Sequence, residues 1–214
     1  MEINYKNLIS ESAAPFFTRQ NLEMFLGRNR RTLDYRIKSL IRQEILIPLK
    51  SGFYVNNSLY KRTSVPLDMT LYIGGALVPK AYVSLEYSMS FYGFLAENAY
   101  TFTYVTTQKT RKFQNDFFNF SYKSIKPELF WGYTKRFFGS LSYQMASPAK
   151  AVFDFIYLTP LGSGRAIREF LFDSRFNWEI FSLQDKAEFK QAVEKSQSKK
   201  MGNILKYLIR ENVI

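Results

Sequence analysis

Arg31, Tyr35, Lys38, Ser39 and Arg42 follow one another at spacings of one, three or four residues. At about 100° per residue on a helix they share one face. That face carries three cations, a phenol and a hydroxyl, and no carboxylate. Guanidinium and ammonium groups bond phosphates and guanine edges, while phenols and hydroxyls donate or accept at base edges. Together they are suited to recognising a polyanion, and a helix with such a face fits the major groove of duplex DNA. Arg28 and Arg30 precede the helix at its N-terminal end, where the helix dipole also favours anions. Lys50 falls in a turn further on, placed to reach a phosphate. The plainer alternative is a solvated charged face, which most such helices have.

The elements that must hold these residues are legible in residues 16–55. Thr18 is a good N-cap for a helix over Arg19–Leu26, with Leu22, Phe25 and Leu26 facing inward. Gly27 ends it, since glycine takes positive φ cheaply. Asn29 caps the next helix, which runs to about Gln43. Opposite its basic face, Leu33, Ile37, Leu40 and Ile41 form the i, i+4, i+7, i+8 stripe of a core-facing helix. Ile45–Leu49 and Gly52–Val55 read as a hairpin turned at Lys50-Ser51-Gly52. A first short helix is expected over residues 3–12, ended by Pro15, with Phe16 and Phe17 extended after it. Three helices and this hairpin make a winged helix-turn-helix. A small helical domain that binds protein is the alternative.

The chain has 214 residues and a net charge of +12, enough for one large or two small domains and a bias toward polyanions. Residues 1–62 hold eleven cations and five anions, so half of that excess lies in under a third of the chain. Aromatic content of 18% supplies core and sheet material, or else a base-stacking surface. Cysteine and histidine are absent, which excludes disulfides, the usual zinc sites and the Ser-His-Asp and Cys-His constellations. Met1–Ser10 shows no secretory pattern, and no apolar run approaches the ~20 residues of a membrane span. A cytoplasmic bacterial-type protein without membrane attachment is expected.

Beyond the hairpin, residues 56–68 look like a link into a second domain. Gly74-Gly75 and Pro79 should break residues 69–79 before a long element forms. Val83–Leu95 reads as a helix with Ser84 as N-cap. Residues 101–145 alternate and are rich in β-formers, giving three or four strands of antiparallel type. Lys109-Thr110-Arg111-Lys112 is a basic loop between the first two, either a soluble turn or a phosphate contact. Ser147-Pro148 opens a helix through Leu158, buried on Ala151, Val152, Phe155 and Ile156. Residues 165–172, 182–195 and 198–212 read as further helices. Gly162-Ser163-Gly164-Arg165 lacks the following carboxylate pair that a magnesium-dependent nucleotidyl transfer needs. Asp154, Glu169, Asp173 and Glu179 suggest no dyad, and no phosphate loop is present. No enzyme, catalytic residue, metal or cofactor is expected.

Several of these stretches resemble the AbiEi family of antitoxins from type IV toxin–antitoxin and abortive-infection systems. They are the N-terminal segment ending in Ser51-Gly52-Phe53-Tyr54-Val55, the Tyr82–Phe94 block, the Phe102–Thr107 strand with its basic loop, and Ala146–Leu158. The last is similar to a Pro-Glu-Lys-Ala-Leu-type helix, with Pro148, Lys150, Ala151 and Asp154 in matching places and Ala149 where Glu is common. The resemblance implies a winged helix that binds inverted repeats in its own promoter, with scope for dimerisation on DNA. It implies a C-terminal domain that opposes a nucleotidyltransferase-like toxin without a stable complex being required. The expected fold is therefore α+β. A winged helix-turn-helix over residues 1–62 precedes a mixed domain over 63–214, with a small antiparallel sheet and C-terminal helices. Arg28, Arg30, Arg31, Tyr35, Lys38, Ser39, Arg42 and Lys50 are the expected DNA-binding residues. A plain regulator or a protein-interaction module stands as the rival reading.

Overall fold

The computed structural model describes residues 5–97, 99–162, 164–172 and 176–214. The chain is of mixed α and β type and divides into two compact units. The first comprises Met1–Leu77 with Phe113–Phe118, and the second Val78–Lys112 with Asn119–Ile214. The division falls later than the 62/63 boundary read from the sequence.

The first unit begins with α1 (Tyr5–Ser10), β1 (Phe16–Thr18), α2 (Arg19–Leu26), α3 (Arg30–Arg42), β2 (Leu46–Lys50) and β3 (Phe53–Asn56). A capping box starts α2: Asn21 N donates to Thr18 Oγ1 at 3.2 Å, and Thr18 N donates to Asn21 Oδ1 at 3.1 Å. Gly27 ends it at φ +90, a backbone angle that side chains with a Cβ rarely adopt. Asn29 then caps α3, accepting from Thr32 N at 3.1 Å. Leu33, Ile37 and Leu40 join Ile9, Phe17, Leu22, Leu26 and Leu46 in one buried cluster, with Ile41 half-buried at its margin. The expected hairpin is in fact a three-stranded antiparallel sheet of order β1-β3-β2, because Phe16–Thr18 pairs with Phe53–Val55.

Residues 56–68 are not a link. Asn56 is fully buried, and its Nδ2 donates to the carbonyls of Ile9, Ser12 and Ala14 at 3.1–3.2 Å. Its Oδ1 accepts from Leu59 N and so starts α4 (Asn57–Arg62). The next helix, α5 (Pro66–Leu77), runs straight through Gly74-Gly75, where a break was expected. Each glycine costs a helix about 1 kcal/mol. Burying a large apolar side chain contributes roughly 1.5–3 kcal/mol, and Met69, Leu71, Ile73 and Leu77 are all buried. Burial therefore outweighs propensity.

The second unit holds β4 (Ala81–Val83), α6 (Leu85–Phe91), β5 (Phe102–Thr106), the first two residues of β6 (Arg111–Gln114), β7 (Asn119–Ser124), β8 (Tyr133–Phe138) and β9 (Leu141–Ala146). After them come α7 (Pro148–Leu158), α8 (Gly164–Phe172), α9 (Leu183–Ser196) and α10 (Lys199–Arg210). Its sheet has six strands in the order β6-β7-β5-β4-β9-β8. It is mixed rather than small and antiparallel, since β4–β9 and β5–β7 pair in parallel. The helix expected over Val83–Leu95 is shorter, because Ala81–Val83 is taken as a central strand. Tyr82 and Val105 from the sheet, Val152, Phe153 and Ile156 from α7, Phe189 from α9 and Ile204 from α10 share the core. No helix among the described residues is long and apolar enough to cross a membrane.

Candidate nucleic-acid interface

Helix α3 turns its apolar stripe into the core of the first unit, so its basic face points outward. Arg28, Arg30, Arg31, Lys38 and Arg42 are exposed, and Tyr35 is 65% exposed. Among the described residues none of these six side chains takes part in a hydrogen bond or ion pair. Asp34 is the lone acid of α3, and it is bound by Arg19 from α2 at 2.7 Å, which removes a negative charge from competition with the arginines. The hydrogen bond to Asp34 in turn raises the pKa of Arg19 above its ordinary value. Arg36 serves the fold instead: its Nη1 donates to Leu26 O at 2.6 Å, closing the C-terminus of α2. Ser39 is half-buried and accepts from Gln43 Nε2 at 2.9 Å.

Lys50 is placed differently from a free tip residue. Its Nζ donates to Leu77 O at 2.8 Å and lies 5.9 Å and 5.6 Å from the rings of Phe53 and Phe113. The ammonium is therefore tethered. The partner carbonyl is distant in sequence and gave no local signal. Between α3 and the β2–β3 hairpin lies a groove of ≈ 420 Å³, bounded by Ile37, Lys38 and Ile41 on one wall and Pro48, Lys50 and Tyr54 on the other.

A second cluster of chemistry-bearing groups lies inside the second unit. Lys150 and Asp154, one helical turn apart on α7, are 1% and 0% exposed. Lys150 Nζ pairs with Asp154 Oδ1, and Asp154 Oδ2 accepts from Tyr82 Oη at 2.8 Å and Ser84 Oγ at 2.9 Å. Burial pushes the Asp154 carboxyl up and the Lys150 ammonium down, and each partner opposes the shift of the other. Ser84 occupies the N-cap position of α6, as the sequence suggests, yet its hydroxyl is spent on Asp154 and makes no capping bond. Gly132 covers the lysine stem: its φ is +76, and a Cβ there would sit 3.0–3.1 Å from Lys150 side-chain carbons. A sealed group cannot meet a substrate, so this cluster ties α7 to β4. The sequence held a signal for it, namely two opposite charges four apart on a helix otherwise apolar on every side.

Of the scattered acids, Asp154 is sealed within this cluster. Glu169 pairs with Arg165 at 2.8 Å on α8, while Ser163 and Asp173 lie outside the described residues. Among the described residues no group of three acids is arranged to hold a metal ion. A comparison with family models finds none that matches the chain, and a search of curated proteins finds no match.

Proposed function

We propose that the first unit is a winged helix that binds duplex DNA, and that the protein is a cytoplasmic transcriptional autorepressor and antitoxin. The order α1-β1-α2-α3-β2-β3, with β3 central in its sheet, supports the winged-helix reading. The observation that carries DNA binding is the outward face of α3, with Arg31, Lys38 and Arg42 exposed and, among the described residues, bound to no other group. In this reading α3 enters the major groove and Tyr35 and Ser39 meet base edges. Arg28 and Arg30 hold phosphates beside the helix N-terminus. Lys50 contributes from the hairpin while tethered to Leu77, so its share is smaller than that of the α3 cations. The antitoxin half rests on the resemblance of Tyr82–Phe94 and Ala146–Leu158 to the AbiEi family, and its opponent is a nucleotidyltransferase-like toxin.

Two assays test the two halves separately. A gel-shift on the protein's own upstream region should show salt-sensitive binding that is lost in an Arg31→Ala, Arg42→Ala variant. No binding at low salt refutes the DNA half. Co-expression with a nucleotidyltransferase encoded beside the gene should relieve growth arrest, and the same variant should still do so. Continued arrest refutes the antitoxin half and leaves a plain regulator.

A further inference from the structure

Strand β8 lies at one edge of the six-stranded sheet and, among the described residues, pairs only with β9. Among the described residues one row of backbone donors and acceptors along Tyr133–Phe137 is therefore open, the arrangement that accepts an added strand. The side chains on it are unusual for an edge. Lys135 and Arg136 stand side by side, Phe137 is 72% exposed, and neither β8 nor β9 contains an acid. Arg136 is held in place, its Nη2 donating to Tyr92 Oη at 3.3 Å and its guanidinium lying 5.8 Å from the Phe91 ring. Lys135 points to the opposite face, as alternate strand residues do, and its ammonium forms no hydrogen bond or ion pair among the described residues.

We infer that the β8 edge is a docking strand for an extended acidic segment of a partner protein, which adds to the sheet with acids opposite Lys135 and Arg136 and an apolar residue on Phe137. Charge selects this occupant over a second copy of the chain. Antiparallel pairing of two β8 strands centred on Lys135 or on Arg136 sets that cation directly opposite its own copy, and like charges so placed are destabilising. The two cations thus reject self-association and admit the opposite sign.

A synthetic peptide with the core Val-Glu-Glu-Val, whose adjacent acids face opposite sides of the strand as Lys135 and Arg136 do, probes the edge, with a Val-Lys-Lys-Val peptide of equal length as control. Hydrogen exchange of the full-length protein reads the site. The acidic peptide should slow exchange at residues 134–138, and the basic one should not. The Lys135→Glu, Arg136→Glu variant, checked for unchanged circular dichroism, should bind the acidic peptide about tenfold more weakly or worse, a loss of ~1.4 kcal/mol, and should take up the basic one. Phe137→Ser should also weaken binding with the fold intact. Three results overturn the inference: no protection at β8, equal binding of the acidic peptide by the charge-reversed variant, or protection of β8 by a second copy of the chain or by single-stranded nucleic acid instead.

Discussion

Replacing Asp154 by Ala removes the acceptor at the centre of a sealed network. Three donors lose their partner at once: the Lys150 ammonium, the Tyr82 hydroxyl and the Ser84 hydroxyl, all within a region less than 2% exposed. Stranding one member of a buried ion pair costs about 3–5 kcal/mol. An orphaned buried hydroxyl costs roughly 1–3 kcal/mol, although rotation of the hydroxyls and relaxation of the site keep these losses from adding fully. A loss of about 3–5 kcal/mol is expected, measurable in a protein whose total stability is of order 5–15 kcal/mol. Urea unfolding followed by circular dichroism is the assay. The deficit should depend on pH. Burial raises the Asp154 carboxyl above its ordinary 3.8, so in the wild type its contribution is fully present below that value and is lost as pH rises through the folded value. Burial lowers Lys150 below its ordinary 10.5, so the unfolded chain binds the extra proton and stability rises with pH between the folded value and 10.5. Without Asp154 that lysine is lowered further. Both effects make the deficit of Asp154→Ala shrink as pH rises. Adding Lys150→Met should restore at least ~1 kcal/mol by removing the stranded charge, a coupling typical of residues in contact. A deficit under ~1 kcal/mol, or a double variant that loses the sum of both changes, would refute this reasoning.

Two further outcomes follow from the same unit. Gly132→Ala puts a Cβ against the Lys150 stem at a positive φ. Unfolding should show a loss of about 1–3 kcal/mol, whereas a change at an exposed ordinary-φ position would be near neutral. Lys200 Nζ donates to the carbonyls of Ile156, Tyr157 and Thr159 at 2.7–2.9 Å, closing the C-terminus of α7 with a cation. Lys200→Met should cost roughly 1.5–3 kcal/mol in the same assay, and Lys200→Arg should recover part of it.

What could be read from the chain was local, and what could not was distant. The caps Thr18 and Asn29, the terminator Gly27 and the stripe Leu33, Ile37, Leu40 act within a few residues of one another, and α2 and α3 lie where they put them. Phe16–Thr18 is three residues long and becomes a strand only through Phe53–Val55, so its pairing was invisible. Ala81–Val83 is likewise too short to show a period, and its place in the middle of a mixed sheet depends on β5 and β9. The start of α5 at Pro66 fell inside the stretch read as a link, and Gly74-Gly75 hid the length of the helix until burial was known. Among the candidate residues, the outward face of α3 was legible because it is the complement of the core stripe. The tethering of Lys50 and the use of Ser84 by Asp154 rest on partners 27 and 70 residues away.

The most direct measurement of the central claim is the salt dependence of binding to a duplex from the upstream region. Fluorescence anisotropy would compare the wild type with an Arg31→Ala, Lys38→Ala, Arg42→Ala variant. Each phosphate contact removed should flatten the slope of log K against log salt by about 0.9, and a lost base contact should cost about 1–3 kcal/mol on the preferred sequence. The account predicts a steep slope for the wild type and a flatter, weaker line for the variant. Equal affinity and equal slope for the two proteins would mean that α3 does not touch DNA.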